Sequence, residues 1–207
     1  MSVIFAAGLD GMVVIGADSR SHNQVTGERS ADTIKVRPIN SKVYAAKAGY
    51  GPDAENVWTE LNETLGIESK SPREVAKLLR VIGSITYKRC KNRASSMGQI
   101  DPGLFMIVAG LTADGDSEVH YLNFQLDEFL ELECTAFGPD HAHHAAVKLF
   151  AECDDASVDI NGWARKLVDR CVEKAPHAIG YPVHLHLIRP EGVEHRILEG
   201  ENPALES

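Results

Sequence analysis

The order of elements in this chain predicts a mixed α+β fold: strands, two helices, strands, two helices, strands. Two observations shape the expectation. The strand runs either alternate or are apolar on both faces, and each helical run carries one apolar stripe that needs covering. Two antiparallel sheets packed face to face, with a helix pair on each outer face, satisfy both. That is a four-layer αββα sandwich in one domain, residues 1–207, although other α+β folds share the same order.

Taken in sequence, Val3-Ile4-Phe5 begins a strand that turns at Asp10-Gly11 into Met12 to Asp18. Asp-Gly between apolar runs signals a hairpin, because glycine accepts the positive φ of a tight turn. The second run is apolar on both faces until Asp18, as in a buried central strand. Ser21 to Asp32 is polar. Thr33 to Arg37 then alternates, which predicts Ile34 and Val36 on one face and Thr33, Lys35 and Arg37 on the other. Lys42 to Ala48 forms the next strand and stops at Gly49-Tyr50-Gly51-Pro52.

Pro52 starts a helix with Ala54, Val57, Trp58, Leu61 and Leu65 at helical spacing, closed by Gly66. Ser71-Pro72-Arg73-Glu74 is a capping box that opens the next helix. Val75, Leu78, Leu79, Ile82 and Ile85 make its stripe, and the polar run from Lys88 to Gln99 is expected to fray. Leu104 to Leu111, Val119 to Phe124, and a run with Leu130, Leu132 and Cys134 on one face are the next strands. Helices follow from Gly138 through Ala151 and from Val158 to Lys174. Val183 to Ile188 and Val193 to Leu198 close the fold as a hairpin, and residues 199–207 are expected to fray.

Composition narrows the function. The formal net charge of −9 argues against nucleic acid, whose phosphates need a basic face. Four cysteines without a CxxC pair support neither a zinc site nor a disulfide framework, and imply reduced thiols. No run is long and apolar enough for a membrane helix, and the first residues lack the pattern of a signal peptide. A cytoplasmic protein with no membrane partner is therefore expected. Gly49-Tyr50-Gly51 lacks the further glycine and lysine of a phosphate-binding loop, and no cofactor is expected. His184 and His186 share one strand face, His177 is close in sequence, and His141, His143 and His144 cluster at a helix start. Such groups can bind a divalent metal. Without a paired cysteine or carboxylate they read more simply as exposed or core-edge histidines, so no residue is assigned to a metal.

The motifs together resemble the proteasome β-subunit family of N-terminal nucleophile hydrolases, including its bacterial members. Ser2 precedes a short strand, an Asp-Gly turn follows at Asp10-Gly11, and an apolar strand ends in Asp18-Ser19-Arg20. Ile34-Lys35-Val36 matches the family's lysine strand, and Ala48-Gly49-Tyr50-Gly51-Pro52-Asp53-Ala54 its strand-to-helix turn. Val108-Ala109-Gly110 and Tyr121-Leu122-Asn123 match later pieces. The likeness covers roughly residues 2–190.

That resemblance implies a peptidase in which Ser2, exposed by removal of Met1, attacks a peptide carbonyl. The free α-amine or the adjacent lysine would manage the proton, Lys35 would lower the hydroxyl's proton affinity, Asp18 would hold Lys35 charged and oriented, and the N–H of Gly49 would serve the oxyanion. Substrate binding would fall to Ser21, Thr33, Lys47 and Gly51, and a lysine at 47 would favour acidic side chains before the cut. Partners would be a peptide or unfolded protein, further copies of the chain in a ring or related homo-oligomer, and an ATP-dependent unfoldase. Two departures stand out. Gly138 is followed by Pro139 where the family has serine, and Ala175 to Tyr181 lacks the family's Asp-x-x-Ser-Gly-Gly. A catalytically silent structural or regulatory ring subunit is the alternative, with a small-molecule amidase or a metal site behind it.

Overall fold

The computed structural model describes residues 2–22, 29–30, 33–49, 55–98, 101, 103–139, 141–152 and 159–202. Strands β1 (Ile4–Leu9), β2 (Met12–Asp18), β3 (Ser21–His22), β4 (Arg29–Ser30), β5 (Val36–Pro38) and β6 (Val43–Gly49) come first. Helices α1 (Asn56–Asn62) and α2 (Pro72–Ser96) follow. Strands β7 (Leu104–Leu111), β8 (Ser117–Asn123), β9 (Glu128–Glu131) and β10 (Cys134–Phe137) precede α3 (Ala142–Ala151) and α4 (Ile160–Lys174). The hairpin of β11 (Val183–Arg189) and β12 (Gly192–Leu198) ends the order.

Ten strands form two antiparallel five-stranded sheets, β10-β1-β2-β11-β12 and β5-β6-β7-β8-β9, so the chain is a mixed α+β fold with four helices among the described residues. β2 lies at the centre of the first sheet, as its apolar run predicts. Leu9 faces Met12 across the turn at Asp10-Gly11, and Gly11 takes φ 64°, the conformation glycine permits.

Period-two alternation sorts the core. In β1 and β2, Phe5, Ala7 and Val14 pack with Ala145, Trp163, Leu167 and Cys171 of α3 and α4. The intervening residues Ile4, Ala6, Val13 and Ile15 pack with Ala46, Ile107 and Ala109 of the second sheet. On that sheet Ala45, Met106 and Val108 meet Trp58, Leu61, Val75 and Leu79 of α1 and α2. Trp163 is 2% exposed and meets Phe5 edge-on at 5.4 Å, while its Nε1–H donates to the Ala146 carbonyl at 3.2 Å. A buried indole thus leaves no orphan donor.

Four expectations change. α2 runs on to Ser96 rather than fraying after Lys88, because Cys90 and Ala94 continue its buried stripe beneath a solvated charged face, while Ile85 turns outward. Leu65 is exposed, since α1 stops at Asn62 and the buried place passes to Ile67 beyond Gly66. The strand read through Leu130, Leu132 and Cys134 is two strands in different sheets, β9 pairing with β8 and β10 with β1. Lys35 is buried and Ile34 is 66% exposed, the reverse of the simple alternation. The chain reaches its regular strand only at Val36, so the two-residue period does not govern the residues before it. The residues after Pro52 that begin the predicted helix lie partly outside the described set. Among the described residues no helix is long and apolar enough to cross a membrane.

Gly110 shows how closely the second sheet is built. A Cβ there would lie 2.3 Å from the main-chain oxygen of Lys42, which already accepts the Leu111 N–H at 3.0 Å. Backbone cannot swing aside as a side chain can. Gly110→Ala is expected to cost about 2–3 kcal/mol through overpacking, read as a lowered denaturant midpoint with an unchanged slope; a wild-type midpoint would refute the fit described.

Candidate active site around Asp18 and Lys35

The centre of the site is a carboxylate at the end of the central strand. Asp18 is 1% exposed, and its Oδ1 accepts both the Lys35 Nζ at 2.6 Å and the Val3 N–H at 2.9 Å. The Asp18 N–H donates in turn to the Val3 carbonyl at 3.2 Å. Val3 is therefore held by main chain and side chain at once, and half-buried Ser2 is the next residue along. Two donors on one oxygen bring the Lys35 ammonium beside the start of β1. Its Nζ also donates to the Arg20 carbonyl.

Burial dominates the electrostatics. It pushes the Asp18 carboxyl up from its ordinary value and the Lys35 ammonium down, while the attraction between them opposes both shifts. A lysine with lowered proton affinity, fixed on two acceptors, is suited to exchange a proton with a neighbouring hydroxyl. Asp18 Oδ2 and Ser19 Oγ are buried without a full hydrogen bond among the described residues, although the Gly180 N–H faces the carboxylate and helps hold it.

Gly49 sits at the end of β6 with φ 115°, and a Cβ there would lie 2.4 Å from the Gly103 carbonyl oxygen. Only glycine fits. The strand is tied to the lysine by a Lys47 N–H bond to the Lys35 carbonyl at 3.0 Å. Ser21 and Thr33 meet each other, Thr33 Oγ1 donating to Ser21 Oγ at 2.7 Å. Gly51 lies outside the described residues.

Lys47 is the main surprise. Its side chain is buried, and its ammonium is paired with Glu55, whose other oxygen accepts from Arg37 at 2.8 Å. Arg37 also lies over the Trp58 ring at 5.6 Å. Glu55 is eight residues beyond Lys47, and nothing in its spacing marks it as the partner. Arg20 does more than end the Asp18-Ser19-Arg20 motif: its Nη1 donates to the Pro176 carbonyl at 2.7 Å and its own carbonyl takes Lys35.

Other polar clusters stay apart from this centre. A cavity of about 260 Å³ opens at the far end of β1, lined by Gly8, Ser117, Glu118, Glu131 and Glu133 among others, and Arg73 pairs with Glu118 and Glu131. Cys90, Cys134 and Cys171 are buried and not joined in disulfides. No group of three or more His, Cys, Asp or Glu among the described residues is arranged to hold a metal ion. His184 and His186 instead gather His195 from β12. His184 Nδ1 lies 3.0 Å from His195 Nε2, and the His186 and His195 rings stack at 4.6 Å. Tyr44 covers the other side of His186 at 4.9 Å.

Two measurements test these assignments. Side-chain exposures of 5% for Lys35 and 0% for Asp18 mean that either charge left alone is stranded. Lys35→Met or Asp18→Asn should each cost about 3–5 kcal/mol, and the double variant clearly less than their sum; strict additivity would show that the pair is not coupled. Burial, then the neighbouring His195 and His184, depress His186 to about 4. The unfolded chain therefore takes up a proton below about 6.5 that the folded one refuses. Stability falls as pH drops from 6.5 towards 4, and His186→Gln should flatten that slope in thermal unfolding; equal slopes would contradict the shift. In comparisons with known proteins, no family model matches the chain, and no curated protein matches it.

Proposed function

We propose that this chain is a proteasome-like peptidase of the N-terminal nucleophile hydrolase type, with its sheets and helices stacked as a four-layer αββα sandwich. The observation that carries the reading is the single Asp18 oxygen shared by the Lys35 ammonium and the Val3 N–H. It joins the lysine to the residue after Ser2 without any intervening group. The reading requires removal of Met1, which leaves Ser2 with a free α-amine whose ordinary pKa of about 7.7–8.0 suits a general base near neutrality.

In this mechanism Ser2 Oγ bonds to the substrate carbonyl carbon while its proton passes to the α-amine, and the Lys35 ammonium lowers the hydroxyl's hold on that proton. The carbonyl oxygen, now negative, is met by the Gly49 N–H. Collapse breaks the C–N bond, the leaving amine takes the proton, and water then hydrolyses the acyl ester. Asp18 keeps Lys35 oriented throughout. The substrate is a peptide or unfolded protein entering past Ser21, Thr33 and the strand end at Lys47, within a ring or related assembly of identical chains in the cytoplasm. An ATP-dependent unfoldase fits as a feeder.

Lys47 does not act as a lone cation in this reading. Glu55 neutralises it and shares Arg37, so the cluster of two cations and one carboxylate keeps only a residual attraction for acidic side chains. A second reading has its own support. Where the resembled family has polar side chains near the terminal amine, this chain has buried Ala178 and Ile179, which favours a silent ring subunit.

Intact mass decides between them, measured before and after exposure to an electrophile that labels N-terminal hydroxyls. Loss of Met1, one adduct, and none in Ser2→Ala are expected, with Lys35→Met slowing labelling by about a hundredfold, within the range that a positioned proton-handling group contributes. In matched peptides an acidic residue before the cut should be favoured over an apolar one by no more than about tenfold, the worth of a partly exposed ion pair. Retained Met1 with no adduct would leave the silent subunit standing.

A further inference from the structure

We propose that Asn202 is a positioning residue for the Asp18–Lys35 pair, acting through the turn at residues 176–182. The catalytic consequence rests on the peptidase reading above, but the positioning does not. Residues 199–202 differ from the frayed tail expected for 199–207, of which 203–207 lie outside the described residues. The Glu199 carbonyl accepts from Arg165 Nη1 at 2.6 Å. Gly200 lies against the Tyr181 ring, where a Cβ would come within 2.6 Å. Asn202 then takes both main-chain groups of Tyr181: Oδ1 accepts its N–H at 2.7 Å, and Nδ2 donates to its carbonyl at 2.9 Å. A side-chain amide carries donor and acceptor side by side, so it can pair with a residue's backbone as a neighbouring strand would.

What Asn202 grips is connected directly to the charged pair. A Cβ on Gly180 would lie 2.2 Å from Asn202 Oδ1 and 2.7 Å from Arg20 Cδ, so this backbone is wedged between the two. The Pro182 carbonyl accepts the Ser19 N–H at 3.1 Å, and the Pro176 carbonyl accepts Arg20 Nη1 at 2.7 Å. Both ends of the turn thus brace residues 19 and 20, and the Arg20 carbonyl is the second acceptor of Lys35. Within the turn, Ala175 to Gly180 offers one polar side chain, His177, to order it. Tyr181 is steadied by its hydroxyl bond to Asp169 Oδ1 at 2.5 Å, but its main chain depends on Asn202. The turn's own bonds, from the Ala178 and Ile179 N–H groups to the Ala175 carbonyl at 3.0 Å, order its start; its Tyr181 end is ordered from the segment after β12, and that order passes through Arg20 to the lysine.

The titration of Lys35 reads this without needing turnover. Its side chain can be followed by NMR in the isotope-labelled full chain, in wild type, Asn202→Ala and Gly110→Ala. With the turn loosened, Arg20 no longer presents its carbonyl squarely, and the ammonium loses an acceptor. Asn202→Ala should lower the proton affinity of Lys35 about tenfold, one pH unit, whereas Gly110→Ala, destabilised in the other sheet, keeps the wild-type midpoint. An unchanged or raised midpoint in Asn202→Ala, or the same drop in Gly110→Ala, would overturn the proposal. Should Asn202→Ala not fold, Asn202→Leu, which keeps the branched shape and the neutral charge and loses both bonds to Tyr181, carries the same comparison. Where wild type labels at Ser2, Asn202→Ala should also label about tenfold more slowly with its pH profile displaced. A wild type that does not label counts against the peptidase reading alone, and the Lys35 midpoint still decides the role of Asn202.

Discussion

One buried carboxylate oxygen sets the terms for much of this fold. Asp18 lies where water cannot reach it, so its charge must be met by protein donors, and it is met by Lys35 and the Val3 N–H. An ion pair so deep gains little net stability over apolar residues of the same volume, because desolvation offsets attraction. Its effect is to punish any arrangement that separates the partners. β1 must start beside the end of β2, and the chain ahead of β5 must turn Lys35 inwards. Ile34 is turned out to solvent as a result. An exposed isoleucine costs less than a buried, unpaired ammonium, so the charge wins over the hydrophobic pattern.

That competition explains what could be read from the sequence. The Asp10-Gly11 hairpin, the doubly apolar β2 and the capping box at Ser71 rest on local chemistry, and local chemistry is written in adjacent residues. The orientation of Lys35 is set by Asp18, seventeen positions away, and alternation alone gives the wrong face. The extension of α2 was obscured because Lys88 to Ser96 is mostly polar, with only Cys90 and Ala94 keeping the buried stripe. The change of sheet at Leu132-Glu133 leaves no mark, since alternation continues through it. Asp18, Lys35 and Gly49 were legible as a set through the resemblance, whereas Glu55 and Asn202 were not. Their partners lie eight residues away in one case and twenty-one in the other, at spacings that no motif marks.

The charges around Lys47 follow the same logic with a different outcome. Lys47 is buried, and burial lowers its hold on a proton, so it too needs a carboxylate. Glu55 supplies one but is 49% exposed, and it divides itself between Lys47 and Arg37. The Asp18–Lys35 pair is sealed and fixed, while the Lys47–Glu55–Arg37 cluster is open on one side and screened by water. Structural rigidity belongs to the first and adaptability to the second. Under the proposed function this is the division a peptidase needs, with an invariant proton relay beside a side-chain pocket that tolerates more than one guest.

Direction in the turn after α4 comes in part from a distant segment. Ala175, Ala178, Ile179 and Tyr181 join the core beneath α4. A turn ordered only by apolar burial would hold its carbonyls loosely, because apolar packing fixes volume better than direction. Hydrogen bonds fix direction. The Pro176 and Pro182 carbonyls must both point at the strand end after Asp18, and the turn's own bonds to the Ala175 carbonyl stop at Ile179, so its Tyr181 end needs directional restraint from outside. The clamp of Asn202 on the Tyr181 backbone supplies it, from a segment that composition alone marks as dispensable. A site can therefore stand on residues distant in sequence and poor in chemical reactivity, provided that they decide where a carbonyl points.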